Sequence, residues 1–184
     1  MIWRGPMVSQ ALQQLLNDTD WGALDYLIID LPPGTGDIQL TLAQTLPLTG
    51  AVIVTTPQEI SLADVRKGFK MFEKVNVPIL GIVENMSYFV CSHCNERENI
   101  FDSGGGKNAS EQLGVPFLGE IPIYTPTRIG GDEGTPIVVK EPNSAQTKAF
   151  YNVARNMAAQ ISTRHSMNGE GTKSPMIDIQ LGVN

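Results

Sequence analysis

Short apolar runs and amphipathic stretches take turns along this 184-residue chain, and that alternation limits the possible folds more than any other feature. Leu24-Asp25-Tyr26-Leu27-Ile28-Ile29-Asp30 ends in a carboxylate and has the pattern of a strand buried on both faces of a parallel sheet. Runs at Ala51 to Thr55, Ile79 to Glu84 and Phe117 to Ile121 predict three more strands. Helices are predicted between them. Met7, Val8, Ala11, Leu12, Leu15 and Leu16 form a 3.6-residue stripe, with Pro6 suited to its first turn. A second helix is expected from Ile38 to Leu46, capped by Asp37, then others at Leu62 to Val75 and Asn108 to Leu113. A last one, Ala145 to Ile161, places Ala149, Val153, Met157 and Ile161 on one face. Parallel strands need crossovers, so the order predicts an α/β protein: a mostly parallel sheet with helices on both faces.

Composition narrows the function classes. A hydrophobic fraction of 41% and a charged fraction of 17% describe an ordinary globular chain. The net charge of -6, with no basic stripe, argues against a nucleic-acid partner. No apolar run approaches the roughly 20 residues that spanning a bilayer needs, and Met1 to Pro6 shows no basic stretch followed by an apolar one. A membrane partner is therefore not expected. Two cysteines, three positions apart, are too few to staple a secreted scaffold, which points to a reducing, cytoplasmic setting. The chain is expected to hold one domain over residues 1–162, with an irregular excursion near 88–107 that includes a short hairpin, and a disordered tail over 163–184.

Chemistry concentrates in two places. In open α/β sheets ligands sit beyond the carboxyl ends of the strands, where Asp30 is expected. A carboxylate there can hold Mg²⁺ through its water shell, and Gly34, lacking a Cβ, lets an amide approach a terminal phosphate. Asp-Leu-Pro-Pro-Gly can equally be a plain tight turn, and Asn85 after its strand can simply cap one. Cys91-Ser92-His93-Cys94 is the second feature: its two thiolates can grip one metal but supply half of a tetrahedral set. Two copies of the chain would complete it, which predicts a homodimer. A thioredoxin-like redox pair, a zinc site completed by His93 and two unconnected thiols stay open as alternatives.

Lookalikes fail on inspection. Ser103-Gly104-Gly105-Gly106-Lys107-Asn108 has Phe101 and Asn108 where a Walker A loop requires Gly and Ser/Thr, so it reads as a turn feeding the next helix. Gly130-Gly131-Asp132-Glu133-Gly134 reads as a loop, and His165 as a solvated side chain.

Taken together, Trp21, Leu24-Asp25, the apolar run to Asp30 and Pro32-Pro33-Gly34-Thr35-Gly36-Asp37 resemble the signature of the Mrp/ApbC family. These are P-loop ATPases of the deviant Walker A type that carry iron-sulfur clusters and are related to MinD and ParA. Trp3-Arg4-Gly5-Pro6-Met7, Glu84-Asn85-Met86-Ser87 and the cysteine pair extend the resemblance over about residues 1–160. It implies that Asp30 and Gly34 belong to a magnesium-binding, γ-phosphate-sensing switch, that Asn85 reads the adenine edge, and that Pro122 and Ile123 border the base. It implies a [4Fe-4S] cluster bridging two subunits through Cys91 and Cys94, ATP with Mg²⁺ as cofactor, and apoproteins as recipients. The family's phosphate-cradling loop is missing, so the fold is expected to be incomplete at the N-terminus, Met1 internal to a longer protein or the start of a truncated one. As it stands, the chain is expected to bind ATP weakly, hydrolyse it negligibly, and dimerise or dissolve poorly. A non-enzymatic metal-binding dimer and a MinD/ParA-like partitioning ATPase are the alternatives.

Overall fold

The computed structural model describes residues 5–31, 36–91, 93–94 and 96–167. It separates at Leu48/Thr49 into two compact units.

The first unit carries α1 (Gly5–Asp18) and α2 (Asp37–Thr45). Pro6 falls in the first turn of α1, where its missing N–H costs nothing. The N-cap of α2 is Gly36, one residue before the expected Asp37, which is itself the first helical residue. The larger departure lies between the two helices. Residues 24–30, expected as a buried strand, enter no ladder, and Leu24 (54%), Tyr26 (52%) and Ile28 (71%) are exposed. A strand apolar on both faces needs neighbours to take up its amides and cover its side chains. Among the described residues, none does so.

The second unit holds the sheet. Strands β1 (Ala51–Thr55), β2 (Ile79–Val90) and β4 (Phe117–Ile123) are parallel, with β2 in the middle. The short β3 (Arg97–Glu98) pairs antiparallel with the far end of β2. Helix α3 (Glu59–Lys74) is the crossover between β1 and β2, and α4 (Gly105–Leu113) leads into β4. Beyond β4 come α5 (Thr125–Asp132), α6 (Ile137–Lys140) and the long α7 (Ala145–Met167).

Successive residues of a strand point to opposite faces, and Val83 and Glu84 separate the two layers. Val83 joins Leu118 and Ile121 in a dry cluster against Ala149, Val153 and Met157 of α7, the stripe expected from their spacing. Glu84 faces α4 on the other side, where a Cβ on Gly106 would lie 3.1 Å from it. Helices thus cover both faces, as expected.

Donors from α7 also manage the outer edge of β4. Asn156 Nδ2 donates to the Leu118 carbonyl at 2.8 Å and Gln146 Nε2 to that of Pro122 at 3.1 Å. Among the described residues those carbonyls have no neighbouring strand, and an edge strand also tolerates a proline, which cannot donate.

Three further expectations need correcting. The third predicted strand runs six residues beyond Glu84 to Val90, because its second half finds β3 and β4 as ladder partners. Gly130 and Gly131 lie inside α5, not in a loop: the Thr135 carbonyl sits 2.4 Å from where a Gly130 Cβ would be, so the helix closes against its own exit only with glycine there. Residues 163–167 continue α7 instead of starting a tail, and Arg164 ties that last turn to the Ile79 carbonyl at 3.1 Å. The rest of the expected tail lies outside the described residues.

Candidate functional site

The carboxyl ends of β1, β2 and β4 form the rim where an open α/β sheet binds ligands. Asn85 stands on β2 at that rim and is half-buried. Its register partner on β4 is Ile121, so Pro122 and Ile123 lie one and two residues further along the neighbouring strand. The structure therefore brings Asn85, Pro122 and Ile123 to one edge. Asn85 also lines an open cleft of about 310 Å³ with Thr55, Thr56, Ser61, Asp64 and Val65. That volume is at the lower end of small-molecule pockets.

Local backbone chemistry sets what each residue can offer. Asn85 Oδ1 accepts the Met86 amide at 3.0 Å, while its Nδ2 donors engage no described residue. Met86 has φ 55°, a left-handed conformation that a non-glycine residue adopts at a cost, and the β2/β4 register slips between Asn85 and Phe89. A bulge of this kind re-aims side chains and ends regular pairing. Pro122 is buried with its carbonyl taken by Gln146, and Ile123 is half-buried beside Phe89. Across the cleft, Thr56 Oγ1 donates toward Ser61 Oγ at 2.7 Å, tying the end of β1 to the first turn of α3.

Asp30 is exposed in the unpaired segment of the first unit, and Gly34 lies outside the described residues.

Past the bulge, β2 rises into a hairpin arm that carries the cysteines at its tip. The Cys91 amide donates to the Glu96 carbonyl at 3.0 Å, closing the loop, and Val90 pairs with Arg97. Arg97 braces the arm in two directions: its guanidinium lies 3.8 Å over the Tyr88 ring and 3.3 Å from Glu120 on β4. Cys91 is half-buried and Cys94 exposed. The Cys94 amide, then the His93 amide, then the Cys94 thiol hold the Cys91 thiol below its ordinary range, against smaller opposition from burial and Glu98. A thiol poised this way is a ready soft-metal ligand. The pair follows a strand and enters a turn, not a helix, which departs from the thioredoxin-like arrangement. Among the described residues no three His, Cys, Asp or Glu side chains converge as a metal site, so His93 does not complete one here with the two thiols.

Sequence reasoning missed Glu84 and Ser87. Both are fully buried, and Ser87 Oγ donates to Glu84 Oε1 at 2.6 Å. The available signal was a carboxylate inside an apolar strand, which must find donors if it is to be buried. The Gly104–Gly106 turn supplies them.

Comparison with known proteins gives the family and the fold. Residues 1–158 match the ParA family described as NUBPL iron-transfer P-loop NTPase. The chain is 51% identical over 179 residues to the iron-sulfur cluster transfer protein NUBPL of Dictyostelium discoideum, covering 97% of this chain and 55% of that protein. It is 53% identical over 161 residues to the iron-sulfur cluster carrier protein of Escherichia coli K12, covering 88% of this chain and 44% of that protein. Over all 184 residues it is 46% identical to the Arabidopsis thaliana iron-sulfur protein required for NADH dehydrogenase, mitochondrial, of which it covers 56%. The chain thus spans about half the length of the curated relatives it matches. Among solved structures, an Archaeoglobus fulgidus nucleotide-binding protein in complex with ADP superposes with a TM-score of 0.67 at 40% identity, over 77% of this chain and 57% of that one. With the family model matched over residues 1–158, this chain belongs to the ParA/NUBPL family of iron-transfer P-loop NTPases.

Proposed function

We propose that this chain is the cluster-holding portion of an iron-sulfur cluster carrier. Its cargo is a [4Fe-4S] cluster bridged between Cys91 and Cys94 of two copies and handed to apoproteins. The observation that carries the reading is the hairpin tip: two thiols on a braced arm, one of them already drawn toward thiolate by the turn's amides. Two soft donors per chain make half of a cluster's ligand set, so the homodimer follows from the count.

The same rim suits a nucleotide. Asn85 has amide donors to spare and stands beside Pro122 and Ile123, a donor set that fits a purine edge. In the proposal Asn85 reads adenine, Pro122 and Ile123 border it, Asp30 positions Mg²⁺ and Gly34 senses the terminal phosphate, with both units belonging to one ATPase domain. Bound Mg-ATP would supply the free energy of phosphoryl transfer. Amides and a lysine that cradle phosphates are not among this chain's residues, so its share is recognition, not hydrolysis. A reducing compartment fits the free thiols. The cytosol is the primary reading, and the match over all 184 residues to a relative named as mitochondrial favours the mitochondrion as the second.

Anaerobic reconstitution with ferrous iron and sulfide tests the proposal. A broad brown absorbance, a mass of two chains per cluster and loss of both in Cys91→Ser are expected. Colourless protein that retains one zinc per pair of chains overturns it in favour of a non-enzymatic metal-binding dimer.

A further inference from the structure

The cysteine arm leaves the sheet after Asn85 and returns at Gly104, and one side chain spans both crossing points. Glu84 is 0% exposed. Its Oε1 accepts Ser87 Oγ at 2.6 Å on the outgoing strand and the Gly104 amide at 3.1 Å on the return. Its Oε2 accepts the Gly106 amide at 2.5 Å. Two of the three donors open helix α4, where free amides and the helix dipole favour an anion. The glycines follow from this contact. Gly104 has φ 79°, and a Cβ on Gly106 would sit 3.1 Å from Glu84 Oε2 and 3.3 Å from Thr55 Cγ2. The turn that imitates a phosphate loop in sequence is therefore already filled, by the protein's own carboxylate.

An aliphatic residue at this position would pack the strand at lower desolvation cost, because burying a carboxylate is expensive even when it is fully bonded. The carboxylate achieves something an aliphatic residue cannot: it joins the two roots of residues 85–103 directly to each other. The next residue, Asn85, lines the cleft, and the arm's tip carries the thiols. We propose that Glu84 is the positioning residue of the cysteine arm. It fixes Ser87 against Gly104 and Gly106, so that the hairpin stands in one orientation on the nucleotide-facing rim. This rests on the carrier reading for its consequence, the retention of a cluster, but not for the geometry.

Amide hydrogen exchange on the whole 184-residue chain tests it. Glu84→Gln keeps the shape but turns an NH₂ group on one of the N–H or O–H donors. Exchange in residues 86–103 is expected to quicken by about tenfold or more, the scale of a lost hydrogen bond to a charged group, while β1 and residues 117–121 keep their protection. Ser87→Ala, which leaves both glycine amides on the carboxylate, is expected to show the same localised pattern at smaller size, and it carries the test if Glu84→Gln does not fold. In chains loaded with iron and sulfide, loss of the cluster to a chelator is expected to accelerate in the same order of variants. Unchanged exchange in 86–103, or a uniform rise over β1, β2 and β4, overturns the proposal. Wild-type chain that takes up no cluster removes the carrier reading instead and leaves the exchange pattern to decide the role of Glu84.

Discussion

Two stretches of nearly the same composition meet opposite fates. Ile79, Leu80, Ile82 and Val83 are 6%, 3%, 0% and 5% exposed, whereas Leu24, Tyr26, Leu27 and Ile28 are 54%, 52%, 38% and 71% exposed. β2 has β1 on one side, β4 on the other and helices on both faces, while residues 24–31 have no ladder partner among those described. An apolar run states a demand for burial. Meeting it takes neighbours, which the run does not encode.

Several substitutions probe that contrast. The largest effect is expected for Ile82→Ala, which should cost about 3 kcal/mol by removing a fully buried side chain, measured as a fall in the denaturant midpoint. Ile28→Ala should stay within about 0.5 kcal/mol, and equal losses at the two sites would break the comparison. Gly81→Ala should cost about 2 kcal/mol, since the new Cβ would press 2.6 Å from both Leu118 Cγ and the Pro116 carbonyl at φ +154°. Stability equal to wild type would mean that β2 and β4 are not held at this spacing. Asn156→Leu removes the donor on the Leu118 carbonyl and should cost about 1 kcal/mol, sharpening how much of the difference is edge management rather than apolar burial. Limited chymotrypsin digestion should cut at Tyr26 or Leu27 well before Tyr88, because cleavage follows local opening.

A last expectation concerns the arm that continues β2, and it bears on reactivity, not stability. Alkylation proceeds through the thiolate, so the Cys91 rate should reach half its plateau at a pH below that of an ordinary thiol. Cys94→Ser should move the midpoint up only in part, because the first and second causes, the backbone amides of residues 94 and 93, remain. A Cys91 midpoint at the ordinary thiol value would show that the turn does not poise it.

Much of the second unit was legible from the chain alone. The β1 run at 51–55 was read to the residue, and the α7 stripe of Ala149, Val153 and Met157 packs as its spacing requires. Periodicity suffices there because each element's apolar face has a partner within reach. What escaped was set by distant contacts. Extension of β2 to Val90 depends on Arg97–Glu98 and Ile123, and the helical state of Gly130 on a carbonyl five residues later. At the site, Asn85, Pro122, Ile123 and the cysteine pair were all named from sequence; the parallel register puts the first three at one edge, while the cysteines sit at the tip of the arm. Asp30 and Gly34 were named with equal reason; Asp30 lies in the other unit and Gly34 outside the described residues.

Residue types alone determined the α/β class, the close spacing of the two thiols and the absence of a Walker lysine loop, since each depends on local spacing or on covalent chemistry. Only the tertiary structure decided that one apolar run is buried and the other is not. It also decided that the triglycine turn holds the carboxylate of Glu84, twenty residues or more away in the chain. The physical reason is common to both. Hydrogen-bond partners and packing surfaces come from elsewhere in the chain, and a buried strand or a buried charge is stable only where those distant groups arrive.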